Sequence, residues 1–288
     1  MRIPRTSFRL ALIGALILPL AAAVAAAEPS ISFRVPAASI APSGTIAVPI
    51  FITSSVPLNA FAVTLRYPPE LLSYVSYQAR NSIVDVWKQE PTADGEGLIR
   101  FEGGAQKAFV GTDGELMTLF FETRATGIAK LSFEQSQFYR ADGTGTRVAV
   151  SALPAAIRIT SGGTAGTLPA DSAPPVFSEV QLVSNPENGA YLITYTVADE
   201  GTGIREVLVR TKSFLFWSVR RIASHPVAVP PFVWSLELVA SDGAGNKTTK
   251  GFHFYDALAL NGILTLMFFA GVGIVWRRWR TRSAILKE

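Results

Sequence analysis

No cysteine occurs in the chain, and histidine occurs twice, as His225 and His253. The first absence removes thiol nucleophiles and disulfide scaffolds, so stability must come from core burial alone. The two histidines fall beside strand-like or proline-rich segments and read as surface or core-edge residues. No G-x-S-x-G, H-E-x-x-H or phosphate-cradling glycine loop is present. Charge is scarce at 17%, against 49% hydrophobic residues, with 23 glycines and 18 prolines. That mixture excludes a disordered chain and argues for strands joined by tight turns, with few helices.

The scarcity of charge is uneven along the 288 residues. Arg2, Arg5 and Arg9 precede an apolar run, Leu10 to Leu20, and then "AAAVAAAE". This order of charge, apolar core and small residues predicts an export signal over residues 1–27, cut after Ala27. Near the other end, Ala257 to Trp276 carry no charge, and Arg277, Arg278, Arg280 and Arg282 follow at once. The pattern predicts a membrane-spanning helix over residues 256–276 and a basic cytoplasmic tail over residues 277–288. The expected location is the plasma membrane, single-pass, with everything between the two segments outside the cell. Removing the signal and the tail leaves 18 basic against 21 acidic residues, about −3. The sequence pI near 9.4 therefore does not indicate a nucleic-acid partner.

Between these ends, Ser161 to Pro175, "SGGTAGTLPADSAPP", has no apolar periodicity. It reads as a linker, assigned to residues 161–173, between a module at 28–160 and a smaller one at 174–255. In the first, segments such as "TIAVPIFITS", "NAFAVTLRY", "GLIRFEGGA" and "ELMTLFFETRA" alternate apolar and polar residues, with "PSGT", "ADGEG", "VGTDG" and "ADGTGT" marking turns. The expectation is a β-sandwich, with Phe61, Val63, Leu65 and Tyr67 facing its core and Pro68 and Pro69 ending their strand. Leu71, Leu72 and Val75 are expected to fold back and plug one end.

"GTIAVPI", "FAVTLRYPPELLSYVS", "GLIRFEGGA", "DGELMTLFFETRATGIAKLSF" and "YRADGTG" occur in this order from Gly44 to Gly145. Together they resemble the cohesin domain, the jelly-roll sandwich of cellulosome scaffolds, over roughly Ser30 to Thr160. The smaller module, with "YLITYTVADEGTGIREVLVRTK" and "WSLELVASDGAGNKTTKGFHF", resembles bacterial immunoglobulin-like or fibronectin-like spacers. The fold expected is all-β: a jelly-roll sandwich, a smaller immunoglobulin-like sandwich acting as a stalk, and one C-terminal transmembrane helix.

The resemblance implies a non-catalytic surface protein that docks a secreted, dockerin-like partner. The alternative is direct binding of polysaccharide by the same sandwich. Strand parity places Ala60, Ala62, Thr64 and Arg66 outward, and likewise Thr118, Phe120 and Glu122. By resemblance these two strands would be neighbours on the docking sheet, forming a platform around Phe120 rimmed by Arg66 and Glu122. In the better-known cohesin class an Asn and an Asp stand where this chain has Ala60 and Ala62, which implies either a different dockerin-like partner recognised more by apolar contact or another adhesive purpose for the sandwich. Asp85, Glu90, Asp94, Glu96, Glu102, Asp113 and Glu115 crowd one region but read mainly as turn residues rather than an acid/base pair. No cofactor and no metal are expected on the chain, any calcium belonging to the partner. "ADEGTG" and "SDGAGN" lack the EF-hand pattern and read as turns. The apolar run Phe214 to Arg221, "FLFWSVRR", is expected to be a strand buried on both faces or an edge packed against the neighbouring module, with a membrane-touching loop as the alternative.

Overall fold

The computed structural model describes residues 28–168, 170–185, 189–214 and 216–285. The export signal assigned to residues 1–27 lies outside the described residues.

The first module comprises β1 (Ser30–Phe33), β2 (Thr45–Arg66), β3 (Leu72–Gln78), β4 (Val86–Ala93), β5 (Leu98–Thr123), β6 (Gly127–Arg140), β7 (Arg147–Val148), β8 (Ser151–Leu153) and β9 (Ala155–Ile159). β2 and β5 are long enough to belong to both walls of a sandwich. Thr45–Ile50 pairs with Met117–Glu122, whereas Ala60–Arg66 pairs with Leu98–Gly104. Between these stretches the register slips at Ile50/Phe51, Ile52/Ser54, Ser54/Leu58 and Leu58/Ala60. Such irregularities bend a strand and let it change sheets. Here the Ser54 hydroxyl donates to the Val56 carbonyl at 2.7 Å, and Pro57 offers no ladder donor. On the facing strand Asp113 has φ 54°.

One wall therefore runs β4, the first part of β5, the second part of β2, then β6 and β7. The other runs β3, the end of β5, the start of β2, then β1 and β8. Phe61, Val63, Leu65, Ile99, Phe101, Leu119 and Phe121 fill the space between them, all buried. Each such side chain contributes roughly 1.5–3 kcal/mol. Rings bridge the walls, with Phe33 stacked on Phe133 at 4.1 Å and Tyr77 edge-on to Trp87 at 6.0 Å. Beyond Pro68 and Pro69, Leu72 is fully buried, yet it opens β3 rather than plugging the sandwich end.

The second module contains β10 (Val176–Ser184), β11 (Tyr191–Ala198), β12 (Ile204–Ser213), β13 (Phe216–Trp217), β14 (Arg221–Ile222), β15 (Val227–Ala228), β16 (Val233–Asp242) and β17 (Lys247–His253). β12, β16 and β17 form one sheet, and β10, β11 and β15 the other. Ile193, Tyr195, Val207, Val209, Leu236 and Leu238 are buried.

The two modules touch. Ile204 pairs with Tyr77, so the second module's sheet continues from the edge of β3. The buried Ser76 hydroxyl donates to the Thr202 carbonyl, and the His225 amide donates to the Lys88 carbonyl at 3.2 Å. Gly203, at φ 74°, makes this contact, since a Cβ there would lie 2.3 Å from the Tyr77 carbonyl oxygen. The stretch read as a linker is also bound: the Ala41 and Thr45 amides donate to the Thr164 and Gly166 carbonyls, and the Thr164 amide donates to the Ser39 carbonyl.

The expectation that Phe214 to Arg221 is buried or packed fails. Phe216 is 78% and Val219 88% exposed, because among the described residues β13 pairs only with the end of β12. Trp217 instead lies under the Arg210 guanidinium, 4.3 Å from its ring centre.

A helix, α1 (Tyr255–Ile285), ends the chain as expected in type. Its side chains are described without a break only from Asn261 to Arg277. Among the described residues no helix is long and apolar enough to cross a membrane.

Candidate functional site: a small-residue groove beside the inter-module contact

Parity along β2 is as anticipated, with Phe61, Val63 and Leu65 inward, Ala60, Ala62 and Thr64 half-buried on the outer face and Arg66 exposed. The same holds for β5, where Leu119 and Phe121 are buried, Thr118 and Phe120 half-buried and Glu122 exposed. The two strips, however, do not meet. Ala60–Arg66 lies between Leu98–Gly104 and Ser132–Tyr139. Thr118–Glu122 lies between Thr45–Pro49 and Leu72–Gln78, on the opposite wall. The expected joint platform is corrected accordingly: Phe120 and Glu122 face away from Ala60 and Ala62. The cause is the double membership of β2 and β5, which parity cannot reveal because alternation continues through a bend.

On the Ala60 side the outer face carries a groove of about 670 Å3. Its floor is Ala60, Ala62 and Gly104, with the Gly103 backbone between strands. Gly103, opposite the inward Phe61, keeps the inner side of β5 clear for β4, because a Cβ would come within 2.5 Å of Val84 and 2.9 Å of the Val86 carbonyl. The rim is polar. Lys88 pairs with Glu102, and Tyr139 donates to the Gln137 side chain at 2.8 Å. Arg66, expected on the rim with Glu122, pairs instead with Glu134 on β6. One end of the groove is closed by Thr194, His225 and Pro226 of the second module. The second glycine of "FEGGA", Gly104 opposite Ala60, was the sequence signal for this floor.

Next to the groove a second cavity, of about 590 Å3, opens between the modules. Tyr77, Trp87, Glu90, Tyr195 and His225 border it. Burial pushes the Glu90 carboxyl up to about 7, partly offset by a hydrogen bond from Tyr77. Burial raises the Tyr195 phenol as well, and its hydroxyl has no hydrogen-bond partner among the described residues. The His225 ring is held below its ordinary value, again by burial, against hydrogen bonds with the Tyr195 and Trp87 backbone. These groups are desolvated because two modules close over them, an arrangement no local motif records.

Four of the other crowded carboxylates, Asp85, Asp94, Asp113 and Glu115, are committed to structure. Asp85 accepts from the Gln106 amide, Asp94 from the Glu96 and Leu98 amides, and Glu115 from the Thr118 hydroxyl. Asp113 pairs with Arg34 at 3.2 Å. They cap turns and tie neighbouring strands together.

No protein-family model matches the chain, and no curated protein matches it. Among solved structures it is similar to cohesin modules. A cohesin module from a Clostridium perfringens family 33 glycoside hydrolase is 10% identical, with 46% of this chain and 96% of that module covered and a TM-score of 0.40. The sixth cohesin of Acetivibrio cellulolyticus scaffoldin B, solved in complex with a Cel5 dockerin, is 16% identical over 46% and 100%, with a TM-score of 0.39. A non-cellulosomal cohesin from Archaeoglobus fulgidus is 20% identical over 47% and 93%, also with a TM-score of 0.39.

Proposed function

We propose that the chain is a non-catalytic cell-surface docking protein whose first module receives a dockerin-like partner in the groove above Ala60, Ala62 and Gly104. The observation that carries this reading is the groove's construction. A floor of methyl groups and glycine backbone admits a helix or loop close to the sheet, and its ring of charged and amide groups supplies orientation. The chain's own cohesin-like motifs agree with it. With Ala60 and Ala62 on the floor, affinity would come from apolar contact, and the Lys88–Glu102 pair would set direction rather than strength. Direct polysaccharide binding is the lesser reading, because Trp87 is spent on edge contacts with Tyr77 and Phe101 rather than presented for sugar stacking.

The second module is proposed to be an immunoglobulin-like stalk, and α1 to anchor it in the plasma membrane with the arginine-rich tail inside. Support comes from the uncharged stretch Ala257 to Trp276 and from side chains such as Leu266, Met267, Phe268 and Phe269, which are exposed on α1.

The test is binding of the full chain, in detergent, to a panel of dockerin-bearing proteins and to insoluble polysaccharides. Ala62→Arg should abolish protein binding while leaving the melting temperature unchanged. Retention on polysaccharide that survives Ala62→Arg, with no protein captured, would remove the docking reading.

A further inference from the structure

Three aspartates far apart in sequence converge where the inter-module stretch meets the second module. Asp171 belongs to the segment read as a linker, Asp199 follows β11, and Asp242 ends β16. Each offers a carboxylate oxygen, and these atoms lie within 4.8 Å of one another. Asp242 is completely buried and Asp199 is 8% exposed. Like charges this close and this desolvated repel strongly unless something neutralises them. No arginine or lysine forms a salt bridge with any of the three among the described residues.

Most of the oxygens are accounted for. Asp199 Oδ2 accepts from the Gly201 and Gly203 amides, at 3.0 and 2.8 Å. Asp171 Oδ2 accepts from the Thr202 amide and hydroxyl, both at 2.9 Å, and its Oδ1 from the Ala173 amide at 3.0 Å. Asp242 accepts from the Asn246 amide and side chain, both at 2.8 Å. One oxygen is left over. Asp199 Oδ1 is out of contact with solvent and has no hydrogen-bond partner among the described residues. A buried carboxylate oxygen without a donor is costly, and a cation is the group that would complete it. Close approach here depends on Gly201, since a Cβ on it would meet the Asp171 carboxyl at 2.3 Å.

We propose that Asp171, Asp199 and Asp242 bind a calcium ion that clasps the inter-module stretch onto the second module. The donors are all hard oxygens, with no histidine or thiol, which selects calcium or magnesium over zinc or copper. The backbone oxygens of Asp171 and Ala173, each 3.4 Å from the Asn246 side-chain nitrogen, border the same cluster. An irregular set of carboxylates and carbonyls suits calcium, whereas magnesium requires near-octahedral order. Thr202 and Gly203 stand between this site and the first module, through Ser76 and Tyr77. Calcium would therefore stiffen the joint as well as the turn, a role separate from any calcium carried by a docking partner.

The experiment is titration of the chelator-treated full chain, in detergent, with CaCl2, read by calorimetry and by thermal unfolding. One saturable site is expected, with Kd about 10⁻⁴–10⁻³ M, as in extracellular calcium modules. The melting temperature should rise by several degrees, and magnesium at equal concentration should raise it less. Asp171→Asn, at the least buried of the three positions, should weaken binding at least tenfold, and Asp199→Asn should abolish it. Glu200→Gln, an exposed neighbour, should leave it unchanged. The proposal is overturned by the absence of saturable heat and of a thermal shift up to about 10 mM calcium, well above the weakest such modules. Equal calcium binding in wild type, Asp171→Asn and Asp199→Asn would overturn it too, as would an identical response to magnesium.

Discussion

Glu90 offers the sharpest test of how the modules meet. Its carboxyl lies on β4 at the cavity between them, hydrogen-bonded with Tyr77, and burial moves it from an ordinary 4.5 to about 7. The folded protein thus holds this proton more tightly than the unfolded chain does. Between pH 4.5 and 7 the folded state binds the extra proton, so stability falls as pH rises through that window. Below about pH 4.5 no penalty exists, and above about pH 7 it is complete. The displacement corresponds to at most on the order of 3 kcal/mol. Glu90→Gln keeps the shape and an acceptor for the Tyr77 hydroxyl but cannot ionise. It should be more stable than wild type at pH 8 by up to that amount and indistinguishable at pH 4.5. For 150–250 folded residues each kcal/mol moves the melting temperature by about 2–4 °C, so thermal unfolding from pH 4.5 to 8.5 reads the difference directly. His225, whose lowered value gives the opposite slope below its ordinary 6.5, is present in both proteins and cancels. Parallel profiles, or a variant less stable at pH 8, would refute the claim that the modules desolvate this carboxyl.

Adjacent positions on β5 should differ sharply: Phe121→Ala, in the core, is expected to cost about 3–5 kcal/mol in denaturant unfolding. Phe120→Ala, on the outer face, should cost less than half as much, and equal losses would mean the parity is misassigned. Gly203→Ala forces a left-handed φ on alanine, worth about 1–3 kcal/mol, and drives its Cβ into the Tyr77 carbonyl. It should expose residues 161–175 to faster proteolysis while the first module stays folded, and an unchanged digestion pattern would show that the joint does not depend on this approach. Ser76→Ala removes the hydroxyl bonded to the Thr202 carbonyl and should cost about 1 kcal/mol, measurable as a lower melting temperature.

Reading the chain as sequence went far for local features and stopped at distant ones. Pro68 and Pro69 ended β2 as anticipated, because a missing donor acts on its own strand. The alternation from Phe61 to Leu65 chose the buried face correctly, since side-chain direction has a period of two wherever the strand runs. Phe120 was placed outward correctly and assigned to the wrong wall, because two strands of equal parity can lie in different sheets. The run "FLFWSVRR" misled for a related reason: hydrophobicity signals a need for cover, and only the neighbouring strands decide whether cover arrives.

Composition and periodicity by themselves determined an all-β chain, the inward residues of its strands, and the apolar stretch followed by arginines near its end, since each depends on the solvation and geometry of contiguous residues. Tertiary structure alone decided that β2 and β5 change walls, that Ala60 and Ala62 share a floor with Gly104, that Glu90 loses water to a second module, and that Asp171 joins Asp199 and Asp242. Each of these is a meeting of segments tens of residues apart, and the energy of such a meeting is set by what arrives opposite, which no local pattern encodes.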